Sequence, residues 1–213
     1  MTNPGGVNKR GQASVDLSDS SLEHQIALGN YSVKIGGQRG IITSRATNSF
    51  LGGGAQNYIC DPNSGVVAGF NNEVLEHNSF IGAGENNTSG AEYNVTFGQN
   101  NQNYGYAASV SGGQNYTNGS YTYAQGLSNK VTNNYSAALS GRNHEVGGES
   151  SAVASGDGNE IHAASQCFVG GGSNNHIFGS RNTILGGFGN RVGKDPTGSA
   201  NFGSLSSVIN GNR

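Results

Sequence analysis

The chain has 213 residues, of which 37 are Gly and 3 are Pro; only 11% are charged and the formal net charge is -2. Disordered chains pair low hydrophobicity with high net charge, whereas Val, Ile, Leu and Phe recur throughout here, and glycine without a three-residue period excludes collagen. The 11 Lys and Arg are scattered rather than gathered into a basic footprint, which argues against nucleic acid, and no apolar run is long enough to cross a bilayer as a helix.

In chain order, the opening MTNPGGVNKRGQ lacks the apolar centre of a secretory signal. Arrival at a surface is therefore expected through assembly on a particle or release from a lysed cell. Further on, DLSDSSLEHQIALG reads as an N-cap-like run of Asp and Ser, a short helix and a glycine stop. Residues 1–45 break the pattern of the body and are expected to attach the chain to a larger particle or to cap it.

From residue 46 to 195 the chain repeats. Glycines stand at 54, 69, 84, 98, 113, 126, 141, 156, 172 and 187, a period close to fifteen. Three residues before them lie Leu51, Val66, Ile81, Val95, Val110, Tyr123, Ala138, Val153, Val169 and Ile184. Three residues after, Asn recurs, with Tyr116 and His144 as exceptions. Two places further, a second apolar column (Ile59, Val74, Val131, Val146, Ile161, Ile177, Val192) lapses at Ser89, Asn103 and Asn118. Ser49, Ser64, Ser79, Ser136 and Ser151 open the rungs five residues ahead of the glycine.

A period near fifteen fits neither heptads nor two-helix repeats, and each Gly would cost a helix about 1 kcal/mol relative to Ala. Short β-branched runs punctuated by Gly and Asn read instead as short strands joined by tight corners. The fold class expected is all-β: a parallel β-solenoid of about ten rungs, spaced about 4.8 Å apart, with Asn and Gly at left-handed corners. Residues 196–213 keep one weak further rung around Gly203 and are expected to close the C-terminal end.

Strand periodicity puts positions -5, -3 and -1 from the glycine on one face and -4 and -2 on the other. The second set should face solvent in a lone solenoid, yet it contains Phe50, Val67, Phe80, Leu139, Phe168 and Leu185. A column of exposed apolar side chains along a rod predicts an interface, and fifteen residues per turn enclose only a thin core. Self-association, as three chains about an axis parallel to the rod, is the expected state.

The rungs NSFIGAGENN, YSAALSGRNHEV and SSAVASGDGNEI resemble the Ser-x-Ala-x-x-Gly head repeats of trimeric autotransporter adhesins of the YadA-like β-roll type. The resemblance covers about residues 45 to 195 and implies a parallel homotrimer acting as an adhesive or spacer head. The family period is nearer fourteen, and no coiled-coil stalk or membrane anchor is apparent here. Phage and large-virus fibres carry similar Gly- and Asn-rich repeats. The expectation is a non-enzymatic fibre or head of a virion or cell surface, without membrane insertion, that binds a surface glycan or receptor.

Several chemistry-bearing residues stand out against that background. Motifs of the GxGxxG kind, such as GGGSNN and GGFGN, lack the following helix that a phosphate site requires. Four residues after the glycine, Lys130, Glu145, Glu160, His176 and Arg191 form a column. Stacked Glu145 and Glu160, with Asp157 nearby, would suit a glycan-cleaving tailspike-like hydrolase with carboxyls about 5 Å apart, or cation binding. A mixed-charge surface ladder is the simpler reading. Tyr93, Tyr104, Tyr106, Tyr116, Tyr121, Tyr123 and Tyr135 crowd the middle rungs, and all but Tyr135 are the glycan or receptor candidates. Packing against a neighbouring chain is the alternative. His24, His77, His144, His162 and His176 sit at unrelated rung positions without zinc-like spacing, and Asp is too sparse for calcium-binding rolls. No metal or cofactor is expected. Thr-x-Thr arrays of the ice-binding kind are absent, and sequons at Asn30, Asn94 and Asn118 arise by chance in so Asn-rich a chain. Cys60 and Cys167 are read as buried or half-buried free thiols too far apart to pair within a straight solenoid. A purely structural capsid cement is the remaining alternative.

Overall fold

A computed structural model describes residues 12–17, 26–27, 29–193 and 208–210. They form an all-β parallel solenoid of about 11 turns, with no helix among them. The glycine load and the fifteen-residue period leave two short strands per turn, and each strand pairs in parallel with its counterpart one turn away. The first sheet has 13 strands, from Val15–Asp16 through Phe80–Glu85 to Val208–Asn210; the second has 12, from Ile26–Ala27 through Thr88–Ser89 to Arg191–Val192. Both sheets run through Val33–Lys34 and Ile41–Ile42, ahead of residue 46 where the sequence period becomes visible. Ile26–Ala27, within the segment read as a short helix, is a strand; residues 18–25 of that segment lie outside the described residues, as does Gly203.

The core is the space between the sheets. Leu51, Val66, Ile81, Val153, Val169 and Ile184 enter it from the first sheet, and Ile59, Val74, Val131, Val146, Ile161, Ile177 and Val192 from the second, all within 1% of complete burial. Two polar ladders flank them. In the first, the side-chain oxygen of each buried Asn accepts the next rung's backbone N–H, and usually its amide as well. Asn87 Oδ1 receives Asn101 N and Nδ2 at 3.1 and 3.0 Å, while Asn87 Nδ2 donates to Asn72 Oδ1 and Gly98 O at 2.9 and 2.6 Å. Every polar atom of such an amide is thus satisfied, which is the condition for burying it at no net penalty. In the second ladder Ser49, Ser64 and Ser79 accept the backbone N–H one rung on, at 3.1 to 3.3 Å. Cys167 stands in for the serine, its N–H donating to Ser151 Oγ and its thiol to Ser165 O and Gly179 O. Both cysteines are free and buried, as expected.

The glycine column follows from contact between rungs. Gly84 has φ +143, and a Cβ there would sit 1.8 Å from Gly98 O. Neither the angle nor the space admits a side chain.

Three turns depart from the sequence reading. The stacked glycines are 84, 98, 112 and 126, so these turns have fourteen residues and Gly112, not Gly113, occupies the column. The missing residue lies between the strand and the glycine, which moves the inward position from three residues before it to two. Thr96, Val110 and Ala124 therefore fill the core, whereas Val95 is exposed and Tyr123 half-buried, although both were assigned to the apolar column. By the same slip Asn115, rather than Tyr116, continues the Asn ladder, and the second column lapses at Thr117 rather than Asn118. Position -1 is also not consistently inward: Ala83, Ser140 and Ser155 are exposed, because the chain is already turning toward the positive-φ glycine.

Candidate functional site

The parallel register converts sequence columns into surface columns, and the two outer faces differ in chemistry. On the first sheet two adjacent columns run outward, one through Val33, Phe50, Gly65, Phe80, Val95, Ser109, Tyr123, Ala137, Ala152, Phe168 and Thr183. The other runs through Ile35, Gly52, Val67, Gly82, Phe97, Ser111, Gln125, Leu139, Ala154, Gly170 and Leu185. Among these residues none is charged. All six expected interface residues, Phe50, Val67, Phe80, Leu139, Phe168 and Leu185, lie here and are 37–50% exposed. Phe97 joins them; the fourteen-residue turn places it outward, where the sequence reading had it inward. Its ring lies over Gly82, whose added Cβ would meet it at 1.8 Å, and edge-on to Phe80 with centroids 6.1 Å apart.

The second sheet's outward column is Ile41, Tyr58, Glu73, Thr88, Gln102, Tyr116, Lys130, Glu145, Glu160, His176 and Arg191. Glu145 and Glu160 are in register as expected. Each has a cationic or imidazole neighbour: Lys130 Nζ lies 2.7 Å from Glu145, which holds the lysine's pKa above its ordinary value, and His162 and His176 lie 3.0 and 3.1 Å from Glu160. Asp157 accepts from Asn143 and Arg142, bonds that hold its carboxyl below the usual range. Glu145 and Glu160 thus stand in a mixed-charge ladder, one beside a lysine and the other between two imidazoles. A shallow depression of about 170 Å³ lined by Tyr58, Glu73, Asn86 and Thr88 lies on this side. That is below the roughly 300 Å³ at which small-molecule pockets begin.

The structure separates the tyrosines that the sequence grouped together. Tyr93, Tyr106, Tyr121 and Tyr135 form one exposed ladder along a corner, with successive ring centroids 5.4, 5.6 and 5.3 Å apart. Crowding by neighbouring rings raises the Tyr106 phenol pKa, chiefly through desolvation. Tyr104 and Tyr116 make a separate pair, 6.1 Å apart, on the second sheet, and Tyr123 sits on the uncharged face with its hydroxyl donating to Gln125. Tyr93, Tyr121 and Tyr135 hold φ of 59°, 56° and 56°, the left-handed corner filled by Asn48, Asn63 and Asn78 in earlier turns. Asn tolerates that region; a bulky aromatic rarely enters it. The same corner is left-handed at Ala107, Ser150, Gln166 and Arg181 too, so the angle belongs to the fold and the bulky ring is what distinguishes these turns.

The sequence reading placed the histidines at unrelated positions. The structure corrects this for two of them, bringing His162 and His176 together around Glu160, with rings 5.8 Å apart and 11° from parallel. The signal was available: Glu160 and His162 are two apart on one extended rung and therefore share a face, and His176 is one rung from Glu160. No protein-family model matches the chain, and a search of curated proteins returned no match.

Proposed function

We propose that the protein is a non-enzymatic fibre or head which assembles as a parallel homotrimer through the uncharged face of its first sheet and presents the tyrosine corner to a surface glycan or receptor. The observation that carries this reading is the contrast between the two outer faces. A lone rod would gain solubility from charge along every outward column, yet the two columns of the first sheet carry none and interleave Phe, Val and Leu with Gly, Ala and Ser. Such alternation of large and small residues lets two surfaces interlock. The trimeric order and a place on a virion or cell surface rest on the resemblance to adhesin heads and viral fibres. The corner suits sugar because tyrosine faces stack on pyranose rings while the hydroxyls and neighbouring Asn and Gln bond to theirs.

Sedimentation velocity of the untagged chain is expected to give one species of three chains, and Phe97→Asp with Leu139→Asp to convert it to monomer. A folded wild type that stays monomeric at micromolar concentration would overturn the assembly. A screen against whole cells and a glycan array addresses recognition: a hit that Tyr93→Asn and Tyr121→Asn abolish supports the corner. A hit indifferent to both variants places the contact elsewhere, and an inert protein favours a purely structural cement.

A further inference from the structure

We propose that Glu160, His162 and His176 form a binding site for one divalent transition-metal ion of the zinc class on the outer face of the second sheet. The site follows from the register. Glu160 and His162 are alternate residues of one rung and point outward together; His176 pairs with Glu160, and Phe178 lies one rung from His162. These four side chains make a two-by-two tile.

Within it the donors converge. Glu160 Oε2 lies 3.0 Å from His162 Nε2 and 3.1 Å from His176 Nδ1, and one ligand atom from each residue falls within 4.8 Å of the other two. Zinc bonds of about 2.0–2.1 Å to nitrogen and oxygen give donor–donor edges of roughly 2.9 Å in an octahedron and roughly 3.4 Å in a tetrahedron. The two edges set by Glu160 fall inside that interval. A mere histidine–carboxylate hydrogen bond explains His176 but not His162, whose Nε2 is buried and makes no hydrogen bond although the carboxylate is adjacent. That nitrogen is close enough to share a ligand with Glu160 and is wrongly aligned to donate to it.

The rings are also stacked. Phe178 stacks on His162 at 4.4 Å and 6° from parallel, and lies 5° from parallel with His176. Imidazole lone pairs lie in the ring planes, so one of these near-parallel rings turns about χ2 to share an ion with the other. Two imidazoles and one carboxylate select zinc, nickel, cobalt or copper over calcium and magnesium, which require oxygen-rich shells. With three protein donors the ion keeps a position open to water or to a group on another molecule. Glu145 and Arg191 flank the site in the same column.

The second His–carboxylate group, Asp61, Glu76 and His77, supplies a single imidazole, and its Asp61 is 3.3 Å from Arg45. It serves as the internal control. The test is calorimetric titration of the untagged full chain with zinc chloride, with cobalt absorption reporting coordination number. One saturable equivalent per chain is expected, unaffected by His77→Ala and undisturbed by millimolar calcium. His162→Ala, His176→Ala and Glu160→Gln should each weaken it by at least the roughly tenfold that loss of even an outer partner of a ligand produces. The near-isosteric Glu160→Gln keeps the test decisive if an alanine variant folds poorly. Absence of saturable zinc uptake, uptake retained by the His162→Ala, His176→Ala double variant, or equal competition by calcium overturns the site.

Discussion

His144 shows how much a single rung position can carry. It stands where the ladder elsewhere has Asn, accepting Asn159 N at Nδ1 and donating its own N–H to Asn129 Oδ1. It cannot, however, reproduce the amide's double donation, and its Nε2 is buried with no hydrogen bond of sound geometry. Burial is the largest influence on its pKa and moves it below the ordinary 6.5, so the folded state holds it neutral. The unfolded chain takes up a proton first on acidification. Stability contributed here is therefore complete above about pH 6.5 and is lost as pH falls from there toward the lower folded value. His144→Asn is expected to raise stability by about 1 kcal/mol, or roughly 2–4 °C in melting temperature, and to remove this part of the acid sensitivity. Thermal melts of both proteins at pH 7.5 and 5.5 check it; an unchanged pH difference between them would remove His144 as the cause.

At the scale of the turn, three peculiarities coincide in the middle of the rod. The fourteen-residue turns, the tyrosine corner and a polar interruption of the core occur together between residues 84 and 135. Asn94, Thr96, Asn103 and Thr117 are fully buried there and bonded to one another or to backbone: Asn103 Nδ2 donates to Thr96 Oγ1 at 3.2 Å, and Thr117 Oγ1 to Asn103 Oδ1 at 2.7 Å. Ser89, in the same column, leaves its buried hydroxyl unpaired. The apolar core is accordingly divided into two clusters, one ending at Ile81 and the other beginning at Val110. This middle stretch gives up packing that the end turns retain, as expected if its outward side chains are held for recognition. Tyr93→Asn and Tyr121→Asn should each leave stability within about 0.5 kcal/mol of wild type, because relief of the left-handed strain offsets a lost ring contact. Chemical denaturation measures this; a large loss in either variant would make the corner structural.

The middle is also where sequence and structure part. Ser79, Ile81, Gly84 and Asn87 are legible as a rung because each column is filled by one residue type for one physical reason. In the next turns Gly112 and Gly113 offer two choices for one column, and Val95 and Tyr123 look like core beside Thr96 and Ala124. A shift of one residue exchanges the faces of a strand, so Phe97 was hidden until the pairing was seen. His162 escaped because Glu160, two residues before it, was read only within its own column, and because His176 and Phe178 lie one rung away.

For the whole molecule, each turn touches mainly its two neighbours, so stability should accumulate turn by turn rather than depend on one central core. Ser136 and Ser151 occupy equivalent places 15 residues apart. Excising residues 136–150 should therefore yield a shorter protein that still melts cooperatively, whereas excising half that length should not fold, since it brings unlike columns into contact. Circular dichroism and thermal melts of the two deletions distinguish the outcomes; equal damage from both would contradict turn-wise assembly.

The Asn and Ser ladders have a direction. In each link between successive asparagines, from Asn57 to Asn72 and from Asn175 to Asn190, the later turn donates to the earlier one. The Asn side-chain column is thus a vector, each link pointing the same way along the axis, while the backbone bonds of the sheets run from the earlier turn to the later. Chains related by a threefold axis parallel to the rod would add these vectors, while an antiparallel pair would cancel them. The two ends of the ladder therefore differ in kind: at one, Asn57 presents its oxygen to the turn after it, and at the other, Asn190 presents its donors to the turn before it, giving the ladder an intrinsic front and back.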